Sequence, residues 1–158
     1  MIAEKLAQVP TFDHFEEREL NGLASITQGR TYSKGECIIK QSSQPDGVHI
    51  VLSGTVQVTR VTASGAILVL GDIGSGVVFG TLAAIDQGLR GANCIAKTEV
   101  ESAFIPLDEF QELMAGKSAL ALHVQAAVLR CVFSELRRTN QHLSELLALE
   151  PYFIMKPV

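Results

Sequence analysis

Three hydrophobic periods follow one another along the chain. In the first thirty residues, Phe12, Phe15, Leu20, Leu23 and Ile26 supply the stripe of one helical face. Asp13 followed by Glu16 has the D-x-x-E spacing of a capping box, which places a helix start there. From Thr31 to Ile105 the apolar runs shorten to Cys37–Lys40, Val48–Leu52, Val56–Val61, Ile67–Leu70, Cys94–Ala96 and Val100–Ile105. Glycines at 35, 47, 54, 65, 71, 74, 76, 80, 88 and 91 punctuate them. Val56 and Val58 alternate with Thr55, Gln57 and Thr59, the period of a half-buried strand. Many short strands at close spacing predict a sandwich or jelly roll.

After Pro106 the helical period returns. Asp108, with Gln111 three residues on, opens a short helix carrying Phe110 and Leu113, and Gly116 ends it. A long helix is predicted from about Ser118 to Leu149, free of Gly and Pro, with Pro151 as its stop. Leu122, Leu129, Leu136 and Leu143 share one heptad position; Gln125, Val132, Thr139 and Leu146 share the other. That is a coiled-coil seam with two polar interruptions. The pattern therefore predicts one domain over 1–150: a helical part at 1–29, a β-roll at 30–106, C-terminal helices at 107–150, and a tail at 151–158.

Composition narrows the function classes. Apolar residues at 47% and charged residues at 19% of 158 positions exclude intrinsic disorder. A net charge of −4 gives no global attraction for nucleic acid or an anionic membrane. Cys37, Cys94 and Cys131 are too far apart for a zinc or iron–sulfur motif. An odd, sparse count fits reduced thiols, and Cys94 and Cys131 read as small apolar packing residues. The start MIAEKLAQVP lacks a signal-peptide core and no 18-residue apolar run occurs, so the expectation is cytoplasmic, with no membrane span.

The motifs then fall in a recognisable order. Gly35-Glu36-x-Ile38 precedes Val48-x-Ile50-x-Leu52-Ser53-Gly54-x-Val56-x-Val58 and Gly65. Gly71-x-x-x-x-Gly76-x-x-Phe79-Gly80 follows, then Leu82-Ala83, Arg90-x-Ala92 and Ile105-x-x-x-x-Phe110-x-x-Leu113. Over residues 10 to 145 this resembles the cyclic nucleotide-binding domain family, the sensor half of catabolite-activator-type regulators and the repeats of protein kinase A regulatory subunits. The resemblance implies an eight-stranded β-roll, or jelly roll, with N-terminal helices and a long C-terminal helix. It also implies a phosphate-binding cassette at Gly80, Thr81, Leu82, Ala83, Arg90, Gly91 and Ala92. In such a cassette, N–H groups at a short helix start and a bidentate Arg90 would hold a cyclic phosphate. The ligand would be cAMP or cGMP, with no other cofactor and no metal.

The cassette departs from the family pattern. Thr81 stands where a Glu holds the ribose 2′-hydroxyl, and Gly91 where a Ser or Thr adds a hydroxyl to the phosphate. Ser42 replaces a usual turn glycine and His49 a usual aromatic. Losing the carboxylate and hydroxyl bonds costs about 2.5–4 kcal/mol, or about 60- to 700-fold in affinity. Thr81 and Asn93 are the candidates for recovering part of it, although Thr81 at a helix start also reads as a backbone cap.

The remaining residues have plain readings. Gly71, Gly74 and Gly76 have the wrong spacing for a dinucleotide fingerprint and read as turns. His14, His49, His123 and His142 are scattered, with no H-x-H pair or nucleophile–base pair, so no enzyme is expected. Arg137 and Arg138 read as solvent-facing or salt-bridging, and the base-reading position falls around Arg130–Glu135. In the family the long helix pairs two subunits. Leu122, Leu129, Val132, Leu136, Leu143 and Leu146 are thus the expected homodimer interface. Nine residues after Leu149, including Tyr152, Phe153 and Ile154, are too few for a helix-turn-helix, so direct DNA binding is not expected. Two readings stay open: a stand-alone sensor reporting to a separate effector protein, and a ligand-free interaction and dimerisation module of the same fold.

Overall fold

A computed structural model of the chain describes residues 1–148; the expected tail lies outside the described residues. Helix α1 (Ile2–Ala7), a 3-10 turn (Pro10–Phe12) and helix α2 (Glu17–Ser25) come first. Strands follow as β1 (Gln28–Tyr32), β2 (Cys37–Ile39), β3 (Gly47–Ser53), β4 (Val56–Val61), β5 (Ile67–Ile73) and β6 (Val78–Phe79). After helix α3 (Thr81–Asp86) come β7 (Asn93–Ala96), β8 (Val100–Pro106), α4 (Leu107–Ala115) and α5 (Ala119–Ala148). All pairings are antiparallel, in two four-stranded sheets of order β1-β8-β3-β6 and β2-β7-β4-β5. This is the expected eight-stranded roll flanked by helices.

The sheets differ in what covers them. On β3, Val48 and Ile50 point into a cluster with Phe12, Leu23, Phe110, Val124 and Val128 from the helices. Val51, on the opposite face, joins Ile39, Val56, Phe79, Cys94 and Val100 between the two sheets. Strand β3 is thus buried on both faces, as the inner strand of a helix–sheet–sheet stack must be. Helix α5 contributes Ala121, Val124, Ala127 and Val128 to the helical cluster, one face of its N-terminal half. An 18-residue window of α5 has a mean hydropathy of 1.4, so by length and composition alone it is long and apolar enough to cross a membrane; packing of its N-terminal half on the helical cluster accounts for part of that apolar content.

Both expected acidic caps are displaced. Helix α2 opens at Glu16, whose N–H donates to the Glu19 carboxylate at 3.0 Å, so the capping box is Glu16–Glu19. Asp13 instead follows the 3-10 turn started by Pro10 and faces its neighbour His14. Helix α4 is entered from extended Pro106, and Asp108 lies in its first turn, where it complements the dipole without capping. The pairing of β4 with β5 shifts register between Val58 and Thr59, where β5 carries Leu70 as an extra residue. Thr59, solvent-facing by the alternation read in the sequence, is buried.

Two of the histidines read as scattered are brought together. His123 on α5 bonds the buried Glu19 carboxylate through Nδ1 at 2.7 Å, and its ring lies 5.8 Å from that of His14. Arg130 donates to His14 Nε2 at 3.2 Å. Gln125, assigned by the heptad to the seam, donates to the Leu113 and Gly116 carbonyls, both at 2.9 Å. These contacts fasten α5 to α2 and α4. The Glu16 N–H, followed by His123, holds the Glu19 carboxyl below its ordinary pKa.

Candidate ligand-binding site

The approach to the cassette is β6, whose Phe79 pairs with His49 on β3. Gly80 then takes a left-handed turn at φ 81° as the residue before α3. A Cβ there would stand 2.7 Å from Arg90 Nη1 and 2.9 Å from Ile39, so both conformation and space require glycine. Helix α3 is only six residues long, and Thr81 is its first residue, buried and without a side-chain cap bond. The expected use of the Thr81 hydroxyl on the backbone does not occur, because Gly80 and not Thr81 occupies the cap position.

The return loop is pinned by the turn that follows β2. The Arg90 N–H donates to the Ser43 carbonyl at 2.9 Å, and the Ser42 N–H to the Arg90 carbonyl at 2.7 Å. Ser42 keeps the left-handed φ of 64° for which the family uses glycine. Asn93 accepts from the Gln41 N–H at 2.8 Å, so its amide serves this turn and does not line the pocket.

Gly80, Thr81, Leu82, Ala83, Arg90, Gly91 and Ala92 line one pocket of about 230 Å3, below the roughly 300–1,000 Å3 usual for ligand sites. Ile39, Val58, Phe79 and Cys94 form its apolar walls; Arg60, Leu70 and Glu135 stand at its edges. Sequence reasoning reached the cassette but not these edge residues, apart from the broad window that contained Glu135. Among the described residues a larger cleft, about 650 Å3, lies between the 3-10 turn, residues 72–77 and α5; it shares Ile73, Val77 and Glu135 with the cassette pocket. Arg138 closes over β5 there, donating to the Asp72 carbonyl at 3.1 Å.

Arg90 is the decisive side chain. It is 4% exposed, a buried cation on the pocket wall. Nη1 donates to the Gly80 carbonyl at 2.6 Å; Nη2 donates to the Gly47 carbonyl at 2.6 Å and to Asp46 Oδ1 at 3.0 Å. Of the guanidinium's five N–H donors, three are occupied within the chain and two remain. The fork expected to face a phosphate is turned to the chain itself. Two further groups are tuned by burial. The Cys94 thiol is pushed up to about 12, chiefly by desolvation, so it stays protonated and inert. His49 is stacked on Phe79 at 5.1 Å and held down to about 3 by burial, then by the Arg30 charge. It is a neutral packing residue in the place of an aromatic.

The motif order, the two-sheet roll and this loop geometry agree with a family match over residues 29–117, more than half of the chain, to the family described as the cyclic nucleotide-binding domain. The chain belongs to that family. It is similar to a CRP-like cAMP-activated global transcriptional regulator of Mycobacterium tuberculosis, with 26% identity over 91% of this chain and 62% of the relative. It is also similar to the cAMP-dependent protein kinase type II regulatory subunit of Drosophila melanogaster, with 32% identity over 72% of this chain and 30% of the relative. A crystal structure of a cyclic nucleotide-binding domain from Methylobacillus flagellatus shares the fold, with a TM-score of 0.78 at 20% identity, over 99% of this chain and 85% of that one. The chain thus spans less than two thirds of the curated relatives just named. It shares its regulatory domain fold with catabolite-activator-type regulators and protein kinase A regulatory subunits.

Proposed function

We propose that this chain is a cytoplasmic regulatory sensor, without enzymatic activity, that takes a cyclic nucleotide in the cassette pocket and reports through α5 to a separate effector protein. The observation that supports it is the convergence of Gly80–Ala83 and Arg90–Ala92 on one cavity whose edge is a residue of α5. A ligand seated there touches the roll and the long helix at once, which is what a reporter needs. With two donors left on Arg90 and no carboxylate at Thr81, affinity is weak: calorimetry with cAMP and cGMP is expected to show saturation from the upper micromolar to the millimolar range. No heat up to millimolar nucleotide overturns the proposal. It would favour the second reading, a ligand-free interaction module, which the internal bonding of Arg90 already supports.

The reporting helix is also proposed to pair two copies. Leu122, Leu129, Leu136, Leu143 and Leu146 are 49–64% exposed, and Phe133, which the heptad assignment passed over, lies on the same stripe. Val132 differs from these, being partly buried against the core of its own chain. Such a row of exposed apolar side chains is characteristic of an interface. The double variant Leu136→Glu with Leu143→Glu is expected to halve the mass measured by light scattering. A dimeric mass retained by that variant, or a monomeric mass for the unaltered chain, removes this part of the proposal.

A further inference from the structure

We infer that the free edge of strand β5 is a docking site, where an extended apolar segment of a separate protein, carrying a carboxylate, adds as a further strand. The assignment gives a surface to the separate effector protein proposed above and rests on that part of the reading, not on a nucleotide in the cassette. The two sheets have four edge strands, and three of them are protected. Strand β6 is two residues long, β2 is three residues long and bulged, and β1 carries the charge of Arg30. Strand β5 is seven residues long, and its run Ile67, Leu68, Val69 and Leu70 is 41–69% exposed with neither Pro nor charge. An edge of that kind is a template for pairing.

The hairpin fixes which main-chain groups are free. The Thr62 N–H donates to the Ala66 carbonyl at 2.9 Å, and Arg60 pairs with Leu68 one step further from the turn on the same side of the ladder. Bonded and non-bonded pairs alternate in an antiparallel ladder. Ile67 and Val69, opposite Val61 and Thr59, therefore turn their N–H and C=O groups away from β4. Among the described residues no other element bonds them. The edge closes at Asp72, whose carbonyl accepts from Arg138 at 3.1 Å. Residues 67–70 are left as the length open to one short added strand.

The side chains state the chemistry of that strand. Ile67 and Val69 lie on one face of the sheet and Leu68 on the other, so the incoming strand meets apolar groups on both. Arg60, paired with Leu68 and so on its face, is exposed and forms no ion pair among the described residues. Its stem reaches across Leu68 toward the residue that would pair there. Two carboxylates stand nearby. Asp72 is held by Lys97, and Glu135 pairs with neither Arg60 nor Arg138 among the described residues. Two arginines against one free carboxylate leave this edge basic. The Ile67–Leu70 run of a second copy would bring Arg60 no carboxylate, so an acidic segment of another protein is the better complement. Arg60 and Leu70 also stand at the edge of the cassette pocket, so the docked strand and a ligand would share two residues.

The test is fluorescence anisotropy of the full chain with a labelled synthetic peptide, Thr-Val-Glu-Val-Thr-Val. Two further peptides carry Lys in place of Glu, or N-methyl groups at alternate residues. The Glu peptide is expected to saturate below millimolar concentration. The N-methylated form, unable to donate along one edge, is expected not to bind, which reads main-chain pairing on the unaltered protein. Val69→Pro removes an N–H that β4 does not use, so it is expected to abolish binding while the protein melts near the parent. The Glu peptide is expected to bind about 2- to 5-fold more tightly than the Lys peptide, and Arg60→Ala to remove that preference. No saturation up to millimolar peptide, or binding indifferent to N-methylation, overturns the docking site and leaves the nucleotide proposal standing. Equal binding of the Glu and Lys peptides overturns the acidic partner. A light-scattering mass that falls in Val69→Pro gives the edge to a second copy, and peptide binding gained only on removal of residues 149–158 gives it to the chain itself; either overturns the assignment. Peptide binding by a chain that takes no nucleotide removes the sensor reading and keeps this site.

Discussion

Arg90→Ala is expected to destabilise the protein in the absence of any ligand. Two components of the Arg90 contact set compete in size. The ion pair to Asp46 is the weaker, because the Asp46 side chain is 66% exposed and water screens it; such pairs contribute about 0.2–1 kcal/mol. The bonds to the Gly47 and Gly80 carbonyls are the stronger, because removing the donor strands two acceptors inside the fold. Each stranded acceptor costs about 1–3 kcal/mol, less where water enters the space vacated, for a total of about 2–4 kcal/mol. In a domain of this length that lowers the melting temperature by about 5–15 °C. Asp46→Asn, which removes only the charge of the pair, should stay within about 1 kcal/mol of the parent. Thermal melting of the ligand-free variants checks both. An Arg90→Ala protein that melts with the parent would mean that the guanidinium does not tie the cassette to β3. The result also governs how binding data are read: loss of nucleotide affinity in Arg90→Ala would report a loosened cassette as well as a missing contact.

This dual use of Arg90 marks where sequence reading stopped. The bounds of strand β4 were legible because valines at two-residue spacing have one structural meaning, although Thr59 is buried where the alternation puts it in solvent. The cassette was legible because Gly80 and Arg90 hold fixed places in an ordered motif. Strand β1, QGRTY, was not, since it is an edge strand paired only with β8 and has no apolar alternation to betray it. Strand β6 is two residues long and exists only through its pairing with β3. Two of the three partners of Arg90, Asp46 and Gly47 at the entry to β3, lie more than forty positions earlier in the chain, and nothing local marks them as acceptors. The same holds for His14, Glu19 and His123, which a turn and two separate helices bring together. The acidic caps failed for a different reason. Asp13 and Asp108 satisfy the cap spacing, but Pro10 and Pro106 fix the backbone ahead of them and set other helix entries.

His49 gives the other large expected effect, a loss of stability on mild acidification that one substitution removes. Its ring is buried between Phe79 and Phe104, bonded to Ser102 at 3.2 Å, and stays neutral in the fold down to about pH 3. In the unfolded chain the same imidazole takes up a proton near its ordinary value of 6.5. Above pH 6.5 both states are neutral and nothing is lost. Below it the unfolded state binds the extra proton, so stability falls with pH at about 1.4 kcal/mol per unit until the folded ring also protonates. Between pH 6.5 and 4.5 the loss is about 2–3 kcal/mol. This window lies above the ordinary carboxylate range, so buried acids such as Glu19 contribute chiefly at lower pH. Replacement by Phe, the kind of residue the family uses here, should flatten this part of the acid limb, and His49→Gln, which keeps a partner for Ser102, should do the same. Denaturant melts at pH 7, 5.5 and 4.5 read the slope directly, and an unchanged slope in both variants would place the acid sensitivity elsewhere. The site is affected along with the fold. Phe79 pairs with His49 and leads directly into Gly80, so a charge forced onto the imidazole separates β6 from β3 at the root of the cassette. Acid conditions that spare the helices should therefore weaken the nucleotide pocket first, and His49→Phe should extend binding to lower pH.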